Sequence, residues 1–124
     1  MTPPRILILD AEPVVRSVVA SILQSGGYVV DQAATVPAAL DLVKSKETDL
    51  LLTNVYLPGI TAREAIEMFK QKYPDLPVLI VSGLPDNELI QEWAGRVGFD
   101  MFPKPFAAKE LLDKVHSILM LNKR

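Results

Sequence analysis

Five short apolar runs mark the chain, and between them apolar positions recur at helical spacing. Residues 6–9, 28–30, 49–53, 78–81 and 99–103 read as strands. The first, third and fourth are continuous apolar runs, which suit burial on both faces of a parallel sheet. After the first run, Pro13 fits the first turn of a helix, and Val14, Val15, Val18, Val19, Ile22 and Leu23 give it one wide apolar face. Gly26-Gly27 stops that helix. Thr35 caps a second helix, with Pro37 in its first turn and Leu40 and Val43 facing inward. Thr61 and Glu64 form a capping box for a third, which runs toward Tyr73 and stops at Pro74. Asp86 or Asn87 caps a fourth carrying Leu89, Ile90, Trp93 and Val97, which Gly98 ends. The last helix carries Leu111, Leu112, Val115, Ile118 and Leu119 on one face and stops in polar Asn122-Lys123-Arg124. Strands alternating with helices predict an α/β fold, a doubly wound parallel sheet covered on both faces.

Composition narrows the function classes. A chain of 124 residues with 49% hydrophobic and 23% charged residues reads as one globular domain over residues 1–124, with no output domain. The formal net charge of −2 argues against nucleic acid as a direct partner. The absence of cysteine excludes disulfides and thiolate metal sites and fits a reducing compartment. No apolar run approaches membrane-spanning length and no signal-peptide pattern opens the chain, so a cytoplasmic protein without a membrane partner is expected.

Chemistry gathers at the strand ends. Asp10, Asn54, Ser82 and Lys104 end the first, third, fourth and fifth strands. In a parallel doubly wound sheet these ends share one edge, where ligands and reactions collect. Each residue alone has a bland reading as a turn or surface group. Four together, followed by Glu12-Pro13, Leu57-Pro58-Gly59, Gly83 and Pro105-Phe106, make a pattern.

That pattern resembles the receiver domain of bacterial two-component response regulators, the chemotaxis-regulator type. The resemblance runs from I-L-I-L-D-A-E-P through L-L-L-T-N-V-Y-L-P-G and L-I-V-S-G to F-P-K-P-F. It implies a flavodoxin-like three-layer sandwich with five strands in order 2-1-3-4-5, and a Lys104-Pro105 bond that is usually cis in the family. It also implies a phosphorelay role. In the family an aspartate after strand three accepts a phosphoryl group from a histidine kinase, and two acids after strand one help it hold Mg²⁺. A hydroxyl residue and a lysine contact the phosphoryl oxygens. Carried over, these positions are Asn54, the pair Asp10 and Ala11, then Ser82 and Lys104.

Two of those positions lack the required chemistry. A carboxamide has no anionic oxygen to attack phosphorus, so Asn54 cannot form the usual acyl phosphate. Mg²⁺ relies on carboxylates, and Ala11 offers none. The family's three carboxylates and one lysine sum to −2, which a divalent cation neutralises, whereas Asp10 with Lys104 sums to zero. No metal or other cofactor is therefore expected, the residual acids being Asp10 and Glu12. Thr53 should face away from the pocket, because strand side chains alternate. The family's aromatic switch, three residues before the lysine, falls on Met101, with Phe102 beside it. Lone His116 reads as a surface residue.

The leading expectation is thus a degenerate, phosphorylation-independent receiver, not an enzyme, that acts by protein–protein contact. The alternatives are a receiver phosphorylated by unconventional chemistry and a small-ligand sensor using the vacated pocket. The partner would be a histidine kinase, an output domain or a second copy. The expected contact face joins the fourth helix, fifth strand and fifth helix, with Met101, Phe102 and Trp93 on it, and would also serve a homodimer.

Overall fold

The computed structural model describes residues 3–54, 56–57, 59–82, 100–103 and 107–121, with backbone alone at residues 56, 62, 82 and 100–103. Parallel strands β1 (Arg5–Leu9), β2 (Val29–Ala33), β3 (Leu50–Asn54), β6 (Val78–Ser82) and β7 (Asp100–Pro103) form one sheet in the order β2-β1-β3-β6-β7. This is the expected order, with β6 and β7 as the fourth and fifth strands of the sheet. A second element was not foreseen. Strands β4 (Tyr56–Leu57) and β5 (Ile60–Thr61) pair antiparallel around Gly59, whose φ of 73° is left-handed. Glycine takes that conformation without steric cost.

Two apolar layers hold the sheet between helices, because alternate strand residues point to opposite faces. Ile6, Ile8, Leu50, Leu52, Leu79 and Val81 pack under α1 (Pro13–Ser25) and α4 (Ala108–Leu121), against Val19, Leu23, Leu111, Val115 and Ile118. Leu7, Leu9, Leu51, Val78 and Ile80 pack on the other face under α2 (Val36–Ser45) and α3 (Ala62–Lys72), against Ala39, Ile66 and Phe69. The helix expected between residues 86 and 98 lies outside the described residues.

Helix ends follow the local chemistry. Thr61 Oγ1 accepts from the Glu64 amide at 3.1 Å while Glu64 Oε1 accepts from the Thr61 amide at 3.3 Å, the reciprocal capping box. Thr35 Oγ1 accepts from the Ala38 amide at 3.3 Å. Pro13 opens α1, and Gly27 rather than Gly26 takes the left-handed turn beyond it, at φ 90°. Gly26 meets a different demand. A Cβ there would lie 2.6 Å from Leu112 Cδ2, so its absence lets the end of α1 approach α4.

Strand β2 runs to Ala33, beyond the 28–30 read from apolarity, because polar Asp31 and Gln32 interrupt the run. Its pairing register with β1 carries it through, and Asp31 accepts two bonds from Arg5 Nη1 at 3.0 and 3.2 Å.

Candidate functional site

The carboxyl ends of β1 and β3 bring Asp10 and Asn54 together. Leu9 pairs with Thr53 in the register, so the residues that follow are neighbours across the strand gap. Both have the parity of the residues facing α1 and α4, and Thr53 has the opposite parity, as alternation requires. Thr53 is buried, with its hydroxyl donating to the Asn54 carbonyl at 3.1 Å.

Asp10 is only 4% exposed, and its groups are heavily used. Oδ1 accepts from the Glu12 amide at 2.9 Å, a local turn that steers the chain into α1. The same oxygen accepts from Asn54 Nδ2 at 3.3 Å. The Asp10 backbone joins in as well: its amide donates to the Ala33 carbonyl at 3.1 Å, and its carbonyl accepts from Arg16 Nη1 at 2.7 Å. Arg16 was not foreseen as part of this edge. The available signal was that α1 holds one charged residue, placed six positions after Asp10, where the first turns of the helix pass back over the strand end.

The other members of the pattern are placed less completely. Ala11 is half-buried and brings only a methyl group. Glu12 is exposed at the N-cap of α1, and its side chain makes no capping bond. Ser82 ends β6 and pairs with Pro103 of β7, so its backbone shares the edge. Lys104 follows Pro103 directly but lies outside the described residues. Met101 and Phe102 belong to β7, the outer strand, and Trp93 lies outside the described residues.

Among the described residues, this edge offers few of the carboxylate donors on which Mg²⁺ relies. Asp10 is the one buried carboxylate at this edge among the described residues, and Oδ1 of it is already bonded twice. The Asn54 group facing it is an N–H donor, which repels a cation. No three acids or histidines gather anywhere among the described residues.

An open cleft lies at the opposite edge of the sheet, between Lys46, Thr48, Tyr73 and Pro77. It holds no nucleophile paired with a base among the described hydrogen bonds. Beside it, Lys70 Nζ donates to the carbonyls of Pro74 at 3.1 Å and Leu76 at 2.7 Å. Partial burial pushes the Lys70 ammonium pKa down, and Asp75 partly pulls it back. This is a loop clamp.

Comparison with known proteins shows the family. The model of the response regulator receiver domain matches residues 6–116. Response regulator MprA of Mycolicibacterium vanbaalenii is 31% identical over 119 residues, covering 94% of this chain and 51% of that protein. Sensor kinase CckA of Brucella abortus is 28% identical over 116 residues, covering 92% of this chain and 12% of that protein. Among solved structures, a CheY-like receiver domain protein from Methanospirillum hungatei JF-1 superposes with a TM-score of 0.88 at 26% identity, covering 98% of this chain and 97% of that one. The chain spans about half or less of the length of the curated relatives it matches. Among the described residues no helix is long and apolar enough to cross a membrane. The match over residues 6–116, the strand order and the strand-end pattern together place this chain in the response regulator receiver family of two-component signalling.

Proposed function

We propose that this receiver works without phosphorylation, as a binding module held in one resting arrangement. The observation that carries the reading is the Asn54 Nδ2 to Asp10 Oδ1 bond at 3.3 Å. An amide occupies the acceptor position, and it donates a hydrogen to the carboxylate that would otherwise help hold a metal. A neutral amide has no nucleophilic oxygen for phosphoryl transfer. Ala11 beside it leaves the second position of the family's acid pair without a carboxylate. Ser82 and Lys104 are the remnants of phosphoryl recognition, and no cofactor is required.

Output then depends on surface contact with another protein, a histidine kinase or an output domain. The outer strand β7 carries Met101 and Phe102, and Pro103 at its end has no amide hydrogen, which discourages strand addition there. Partner contact on this side therefore relies on side chains. The chain is a signalling module rather than an enzyme.

The test is incubation with acetyl phosphate and Mg²⁺, read by intact-protein mass and by partner affinity. The expected result is no phosphorylated species and an affinity changed by less than about twofold. A mass gain of one phosphoryl group on this chain, or an affinity gain of about tenfold, overturns the reading.

A further inference from the structure

We draw no further inference here: the strongest candidate, the open cleft at the amino edge of the sheet between Lys46, Thr48, Tyr73 and Pro77, carries none, because its acids and lysines are exposed surface groups, the buried Thr48 Oγ1 on its wall is closed off from solvent, and nothing in the structure shows what fills it.

Discussion

Replacing Asn54 by aspartate puts a second carboxylate where an amide now donates. Asn54 Nδ2 and Asp10 Oδ1 are 3.3 Å apart, and two unit charges at that separation repel by about 5 kcal/mol at an effective dielectric of about 20. The hydrogen bond lost is one to a charged acceptor, the stronger class, while rotation of the new side chain toward water relieves part of the repulsion. A net loss of about 3 kcal/mol follows, or a melting point lower by about 10 °C for a domain of this size. The pH dependence has a definite sign. Repulsion holds a carboxyl of the folded variant above its unfolded value, so the folded state binds more protons from about pH 4 upward. The variant therefore loses stability as pH rises through that window, and at lower pH it approaches the wild type.

Urea unfolding of wild type, Asn54→Asp and Ala11→Asp/Asn54→Asp at pH 7, with and without 10 mM Mg²⁺ (roughly saturating for a carboxylate site), measures this directly. The double variant should be the least stable without metal and should gain the most from it, since three acids then face the ion. Its phosphorylation by acetyl phosphate should exceed that of the single variant by at least about tenfold, because a held cation offsets charge on the transferring group. An Asn54→Asp protein as stable as wild type at pH 7 would refute the electrostatic account. Equal phosphorylation rates in the single and double variants would refute the part assigned to Ala11.

The remaining predictions concern the frame around the edge. Phe69→Ala removes a fully buried ring from the layer under α3 and should cost about 3–5 kcal/mol in urea unfolding. Thr61→Ala removes the hydroxyl that accepts from the Glu64 amide while leaving the backbone amide at 61 to donate to Glu64, and should cost about 1 kcal/mol, with hydrogen exchange rising first in the opening turn of α3. Gly27→Ala places a side chain at φ 90° and should lower stability by about 1–2 kcal/mol, although nothing crowds the new Cβ.

Residues buried on both faces of the sheet were the most legible in the sequence. Leu50, Leu51 and Leu52 form an apolar run that few other structures accommodate, and the strand they predict ends within one residue of the observed one. Thr35 and Thr61 were readable as caps because a hydroxyl at that spacing satisfies a specific amide. Outer strand β2 was only half readable. Asp31 and Gln32 look like loop, and what makes them strand is pairing with β1, a long-range contact absent from local composition. The β4–β5 hairpin has two residues per strand, too few to carry a period. At the site, Asp10 and Asn54 were legible as neighbours because parallel topology brings strand ends together. Their hydrogen bond was not, since an amide can turn either its oxygen or its nitrogen toward a neighbour. Arg16 was missed because its use depends on how α1 returns over Asp10.

A receiver changes state when a ligand or modification binds one conformation better than the other, and only that difference moves the balance. At this edge the ordinary source of difference is charge: a metal and a phosphoryl group arriving among acids. Here Asp10 already holds the Asn54 amide and the Glu12 amide through its side chain, and the Arg16 guanidinium through its carbonyl. These bonds tie β1, β3 and the start of α1 into one unit beside a buried carboxylate, and breaking any of them strands a polar group where water is scarce. On the proposed reading, the amide at position 54 thus favours a single arrangement of the edge. The rest of the fold asks nothing of the lost acid, because the two apolar layers close on either side of the sheet whether or not the edge carries a phosphoryl group. An amide at position 54 and a closed scaffold are thus physically compatible.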